Sequence, residues 1–341
     1  MHLIAAFGLA LVLSLLLTPL GVRLAWASGC LDHPEARKLH TSATALLGGT
    51  VVFVSALLAW LARLERPAST NTQSLLILGG AALILAVGLW DDRFGLSVAL
   101  KLLGQAVAAG LLLASGNVPD FGMPPVANVI VVVLALVALM NAMNFLDNMN
   151  GMVAGLSAIA LAGFAWGSVE RGAFGVAAAQ LALAGACAGF LRYNFPRARI
   201  FLGDAGSLFL GYSLGASAVL AFVGLPRGWG QAGPFIALGY PIFDMIFVVV
   251  TRAREGRKVY QGGKDHTNHR LARVIQCPTR TVILTWLGGA ALSASGLAVQ
   301  RLNLPLPTLL LLALWMVLFL WAGIRLSAVS IEGDEPESAN P

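Results

Sequence analysis

The chain of 341 residues is 58% hydrophobic and only 11% charged, with a mean hydropathy of +0.81. Charged residues make up about a quarter of an ordinary soluble domain, so this composition excludes a soluble globular protein. Apolar runs long enough to cross a bilayer recur along the whole chain. The sequence therefore predicts an all-α, multi-pass membrane protein with a single domain over 1–327. The acidic tail at 328–341 is expected to be disordered.

Eleven apolar segments are predicted to cross the membrane, which gives a bundle of about 10–11 transmembrane helices. In chain order they cover 3–22, 46–64, 74–90, 97–115, 127–143, 151–168, 173–191, 205–223, 231–251, 281–299 and 305–326. The first segment is interpreted as a span and not as a cleaved signal peptide, because no basic residue precedes it.

The basic residues are distributed unequally between the two sets of alternate loops. Seventeen of the 22 Lys and Arg residues fall in one set, and five fall in the other. Cytoplasmic loops carry the excess of positive charge, so the first set is predicted to be cytoplasmic and the N-terminus outside. This rule also accounts for the net charge of +6, and no nucleic acid partner is expected. The three cysteines show no metal-binding spacing.

Two polar clusters stand at predicted helix ends on the cytoplasmic side. Asp91 and Asp92 end the third span, and Lys101 begins the fourth. Adjacent carboxylates at a membrane boundary suit a hard cation such as Mg²⁺, although a solvated turn is the alternative. Asn144 and Asp147 end the fifth span, where unpaired polar groups are costly and are usually kept for a task. A polar helix cap is the alternative there.

Two further clusters follow on the same side. Asp204 opens the eighth span, where a helix N-terminus can hold phosphate, although the acid could equally serve as a cap. The basic loop at 252–274 carries His266 and His269, flanked by Lys264 and Arg270, which suits an anionic substrate better than topology alone. A carboxylate within the ninth span, Asp244, is either functional or paired with a neighbouring helix.

These four segments, in this order, resemble the polyprenyl-phosphate N-acetylhexosamine-1-phosphate transferase family, glycosyltransferase family 4. The family includes the phospho-N-acetylmuramoyl-pentapeptide transferase of peptidoglycan synthesis and the undecaprenyl-phosphate N-acetylglucosamine-1-phosphate transferases. The resemblance implies transfer of a sugar-1-phosphate from a UDP-sugar to a polyprenyl phosphate, with release of UMP. It also implies a cytoplasmic active site in the inner or plasma membrane.

The resemblance assigns roles to individual residues. Catalytic roles fall on Asp91, Asp92, Asp147 and Asp204, with Asp204 and Asp92 as the expected Mg²⁺ ligands and Mn²⁺ as the alternative metal. Substrate-binding roles fall on Lys101, Asn144, Asn194, Phe201, His266 and His269. Of these, Asn194 and Phe201 are expected around the uracil. Arg270 is expected to offset negative charge on the phosphates. The bilayer is a further partner, and a homodimer is left open.

Three positions depart from the family pattern. Asn148 and Asn150 stand where the family usually has glycine and aspartate, and Asn268 separates His266 from His269. The thinned histidine cluster favours the N-acetylglucosamine-1-phosphate branch over the peptidoglycan enzyme, which remains the alternative. A polytopic transporter is the alternative from another class, but it would place its polar residues near the bilayer midplane.

Overall fold

The structure is a computed structural model that describes residues 2–32, 43–62, 72–258, 263 and 265–330. Within these ranges it contains two short strands, Leu31–Asp32 (β1) and Thr44–Ala45 (β2), which pair antiparallel. It also contains thirteen α-helices and a 3₁₀ helix, Trp229–Ala232. The α-helices are His2–Ser28 (α1), Gly48–Leu61 (α2), Thr72–Phe94 (α3), Val98–Ala114 (α4), Pro125–Leu146 (α5), Met152–Glu170 (α6), Phe174–Asn194 (α7), Gly203–Val223 (α8), Gly233–Ala237 (α9), Gly239–Arg254 (α10), Thr267–Ile275 (α11), Pro278–Leu302 (α12) and Pro305–Ser327 (α13).

The predicted polytopic helical bundle is confirmed. Among the described residues, eight helices are long and apolar enough to cross a membrane: α1, α3, α5, α6, α7, α8, α12 and α13. A ninth span is obtained if Trp229–Ala237, the 3₁₀ helix with α9, is counted together with α10, although the chain bends by 66° between them. The predicted second and fourth spans correspond to the shorter apolar helices α2 and α4. Lys264 and most of the acidic tail lie outside the described residues.

Helix α8 occupies the centre of the bundle, and it is the most enclosed of the eight long helices. It packs against α3, α5, α2 and α6, whereas α13 lies at the periphery. Small residues allow the closest approaches, as is usual where helices pack within lipid. A Cβ on Gly49 of α2 would lie 2.3 Å from the backbone nitrogen of Gly206 in α8.

The polar helix ends named above meet at one end of the bundle. The segment before α8 is fixed there by backbone hydrogen bonds to the residues around the start of α2. The Phe201 amide donates to the Ala45 carbonyl at 2.8 Å, and the Phe201 carbonyl accepts from the Gly48 amide at 3.0 Å. These bonds fix the start of α8 beside the start of α2.

Candidate active site

Lys101 lies at the centre of a cluster that joins four helices. Its Nζ forms an ion pair with Asp91 Oδ2 at 2.7 Å and a second, shorter ion pair with Asp204. Asn144 donates from Nδ2 to Asp204 Oδ1 at 2.7 Å and to Ser207 Oγ at 3.0 Å. All four predicted residues, carried by α3, α4, α5 and α8, therefore meet in one cluster, with a cation between two carboxylates.

Asp92 has a different position from its neighbour Asp91. Its two carboxylate oxygens accept hydrogen bonds from the backbone amides of Asp204, at 2.8 Å, and Ala205, at 3.1 Å. These amides belong to the free N–H groups at the start of α8, so Asp92 caps that helix from α3. Gly203 permits the contact, because its φ is +73° and a Cβ there would meet Asp92 Oδ2 at 2.6 Å. The carboxylate of Asp92 therefore positions Asp204.

Asp147 follows directly after α5 and is partly buried. Its carboxylate makes no hydrogen bond or ion pair within the described part of the chain. Burial, together with the nearby negative charges of Asp204 and Asp92, raises the pKa of Asp147 from 3.8 to about 8. Asp147 is thus a proton-binding group with no fixed partner at the edge of the cluster.

Of the two predicted histidines, His266 directly precedes α11 and His269 lies in its first turn, and α11 packs against the same end of the bundle. His266 is buried, and its ring lies edgewise to Phe145, with ring centroids 6.3 Å apart. The ring of His269 is also 6.3 Å from that of His266. Since Phe145 is the neighbour of Asn144 in α5, the imidazoles stand beside the segment that enters the cluster.

The asparagines that depart from the family pattern are engaged in contacts between segments. Asn268 donates from Nδ2 to Asn148 Oδ1 at 2.6 Å, which joins α11 to the turn after α5. Asn150 donates to the Pro196 carbonyl at 3.0 Å, which joins the same turn to the segment after α7. Two of the three departures are therefore hydrogen-bond partners of each other.

Asn194 and Arg270 are occupied by structural contacts. The buried amide of Asn194 accepts from the Gly151 backbone at 2.7 Å and donates to the Ile200 carbonyl at 2.9 Å. The guanidinium of Arg270 is almost fully buried; it donates to the Val329 carbonyl at 2.6 Å and lies over the Phe247 ring. The structure does not bring Arg270 to the carboxylate cluster. Contact of Asn194 or the partly buried Phe201 with a nucleotide stays a prediction.

The carboxylate oxygens of the cluster are suited to Mg²⁺, which prefers oxygen ligands. Among the described residues, no three carboxylate, imidazole or thiol groups are arranged to enclose a metal ion by themselves. Mg²⁺ commonly takes one or two carboxylates and completes its shell with waters and substrate phosphates, so a two-carboxylate site is sufficient. Asp91 and Asp204 already hold the Lys101 ammonium between them, which shows that the pair accommodates positive charge.

Carboxylates, an ammonium group and imidazoles gathered at one end of a membrane bundle suit a membrane enzyme that acts on anionic substrates. Comparison with known proteins identifies the family within this class of membrane enzymes. Residues 74–222 match the model of the family described as glycosyl transferase family 4.

Curated relatives match over most of the chain. A probable undecaprenyl-phosphate N-acetylglucosaminyl 1-phosphate transferase of Bacillus subtilis (strain 168) is 30% identical, over 88% of this chain and 85% of its own. A decaprenyl-phosphate N-acetylglucosaminephosphotransferase of Mycolicibacterium smegmatis is 31% identical, over 78% and 75%. A phospho-N-acetylmuramoyl-pentapeptide-transferase of Desulforudis audaxviator is 30% identical, over 86% and 95%. The chain belongs to glycosyl transferase family 4, so the resemblance seen in its motifs is confirmed.

The sequence motifs did not identify the bonding partner of Asp244. This carboxylate is fully buried in α10 and is bonded to His266 and Thr267. Of the two interpretations that the sequence allowed, the structure therefore shows a contact with a neighbouring helix. The only available signal was an acid within an otherwise apolar span, which does not name its partner.

Proposed function

We propose that this protein transfers N-acetylglucosamine-1-phosphate from UDP-N-acetylglucosamine to undecaprenyl phosphate. The phosphate oxygen of the lipid attacks the phosphorus that carries the sugar, and the bond from that phosphorus to the UMP oxygen breaks. UMP leaves, and the lipid keeps the sugar through a new pyrophosphate. The ion pairs of Lys101 with Asp91 and Asp204 carry the proposal, because they place alternating charges where two phosphates must meet.

The proposed metal ligands are Asp204 and Asp91. Asp204 and Asp92 were expected from the sequence; we propose Asp91 in place of Asp92, because Asp91 already shares a cation, Lys101, with Asp204, whereas Asp92 caps α8. A Mg²⁺ ion held there would neutralise charge on the diphosphate and on the UMP leaving group. Asn144 orients Asp204 through the bond to its Oδ1.

The remaining groups act on the phosphates directly. The Lys101 ammonium neutralises charge on the transferred phosphoryl group once the substrate draws it from its carboxylate partners. Asp147 exchanges a proton with the lipid phosphate, since its pKa of about 8 lies close to neutral pH. His266 and His269 face the same anions from α11. A single direct attack needs no covalent intermediate, because the lipid phosphate is itself an adequate nucleophile.

The polyprenyl tail requires an apolar path beside this site. A groove of about 720 Å³ lies between α10, α12 and α13 and is lined by side chains such as Phe243, Trp315 and Phe319. It extends to Thr251 and Arg254 at the end of α10 that leads toward α11. We place the tail in this groove, with the cluster on the cytoplasmic side as the positive-inside distribution indicates.

The proposal is tested by measuring UMP release from purified protein supplied with undecaprenyl phosphate, Mg²⁺ and a panel of UDP-sugars. UDP-N-acetylglucosamine should be the preferred donor, and UDP-N-acetylmuramoyl-pentapeptide should be inactive; the reverse preference would identify the peptidoglycan enzyme. Asp204→Asn should abolish Mg²⁺-dependent release. Asp120→Asn is the matched control, because Asp120 pairs with Arg227 on an exposed surface away from the cluster. Near-normal activity of Asp204→Asn would refute the metal assignment.

A further inference from the structure

Asp244 is a fully buried carboxylate within α10, where an ionisable side chain is costly unless its hydrogen bonds are satisfied. Its Oδ2 lies 2.8 Å from Nδ1 of His266. Its Oδ1 accepts the Thr267 backbone amide at 2.9 Å and the Thr267 hydroxyl at 2.5 Å. Within the described part of the chain, the hydrogen bonds to this carboxylate therefore come from Thr267, the first residue of α11, and from His266, which precedes it.

The contact between Asp244 and His266 determines which ring nitrogen carries a proton. An ionised carboxylate can only accept hydrogen bonds, so Nδ1 of His266 must be the donor. The other ring nitrogen, Nε2, has no hydrogen-bond partner within the described ranges. In the neutral ring it is an acceptor, and in the protonated ring it is a second donor. Asp244 thereby directs the free nitrogen away from α10.

The free nitrogen of His266 belongs to a ring that packs near the end of α5. The ring packs against Phe145, the chain neighbour of Asn144, and Asn144 bonds to Asp204. On its other side lies the ring of His269. The imidazole therefore lies next to the end of α5, the helix that also supplies Asn144 to the carboxylate cluster.

Helix α11 has other attachments that do not involve Asp244. Arg252 near the end of α10 forms a bidentate ion pair with the buried Asp265, through Nε at 2.7 Å and Nη2 at 2.6 Å. Asn268 holds the helix to Asn148 at 2.6 Å. Because these contacts already anchor α11, anchoring alone does not account for a buried carboxylate bonded to His266.

We infer that Asp244 is a positioning residue, which fixes the His266 ring with Nδ1 protonated so that Nε2 meets the anionic substrates. This inference rests on the proposed function for the identity of those substrates. Asp244 itself touches neither phosphate, since it acts through His266. The arrangement follows a general design, in which a carboxylate holds the tautomer and the orientation of a working imidazole.

The first test examines the histidine ring without any substrate. Protein labelled with ¹⁵N-histidine is studied by NMR, and His266→Gln identifies the signals of His266. The wild-type ring should show a protonated Nδ1 that is hydrogen-bonded. In Asp244→Asn the amide oxygen should keep the Thr267 backbone bond, so that its NH₂ group faces the ring and the proton moves to Nε2. A wild-type ring protonated at Nε2 alone would overturn the inference, even if the variant fails to fold.

The second test separates positioning from anchoring by steady-state kinetics of UMP release. Asp244→Asn should lower kcat by about 10- to 100-fold, with KM for the UDP-sugar changed by no more than about threefold. Thr267→Ala is the matched control, because it removes one hydrogen bond to Asp244 but leaves the contact with His266; its kcat should stay within about threefold of the wild type. Equal losses in the two variants would overturn the inference. If the wild type shows the expected ring state but releases no UMP from any donor, the proposed function fails and the orientation of His266 stands.

Discussion

Gly88 determines how closely α3 approaches the start of α8. A Cβ at this position would lie 2.4 Å from Ala205 Cα, 2.5 Å from Ala205 N and 2.7 Å from Asp204 C. Ordinary van der Waals contact begins at 3.4 Å. All three obstructing atoms belong to the backbone and cannot rotate away, so Gly88→Ala must move the two helices apart by about 1 Å.

A shift of this size would act directly on the cluster. Asp92 accepts from Asp204 N at 2.8 Å and from Ala205 N at 3.1 Å, and lengthening either bond by about 1 Å would break it. The distance between Asp91 and Asp204, both bonded to Lys101, would change as well. A misplacement of about 1 Å can cost about 100-fold in rate, and overpacking typically costs about 1–3 kcal/mol of stability.

The assay for Gly88→Ala combines UMP release with thermal unfolding in detergent. Gly79→Ala provides the matched control, because Gly79 lies in the same helix and a Cβ there would have no atom within 4 Å. The control should keep its activity and gain up to about 1 kcal/mol, since alanine is the better helix former. If Gly88→Ala matched Gly79→Ala in both rate and melting temperature, the close approach would not be required for the site.

Two further substitutions test the charges of the cluster. Lys101→Met should reduce UMP release by at least about 100-fold, because it removes the cation that faces the transferred phosphoryl group; activity within about threefold of the wild type would contradict this role. Asp147→Asn should raise the melting temperature at pH 8 but much less at pH 5. The folded pKa of about 8 exceeds the unfolded value of 3.8, so the wild-type carboxyl loses stability as pH rises between them, by at most about 1.4 kcal/mol per pH unit. A stability gain that did not depend on pH would contradict the burial of this carboxyl.

The location of the polar motifs along the chain could be predicted because it depends on local properties. Hydropathy places each apolar segment, and the polar residues that interrupt it must stand at the segment's ends. Asp91, Asn144 and Asp204 were assigned to helix ends on one side, which the structure places together. The same reasoning could not detect the break between α9 and α10, because the two halves together are apolar enough to read as one span.

Which contact each of these polar residues makes depends on the tertiary structure. The sequence presents Asp91 and Asp92 as an equivalent pair, but helix geometry turns their side chains about 100° apart. One therefore meets Lys101 and the other caps α8. Arg270 shares a basic loop with His269, yet its side chain is buried against the end of α13.

Composition and motif order thus determined, without any structure, that this chain is a helical membrane protein of its family. Packing alone decided which atoms of those motifs are free, which are already bonded, and that a lone aspartate in α10 holds His266. The physical reason is that hydropathy sums over a segment, whereas a hydrogen bond depends on the direction of one side chain toward a residue far away in the sequence.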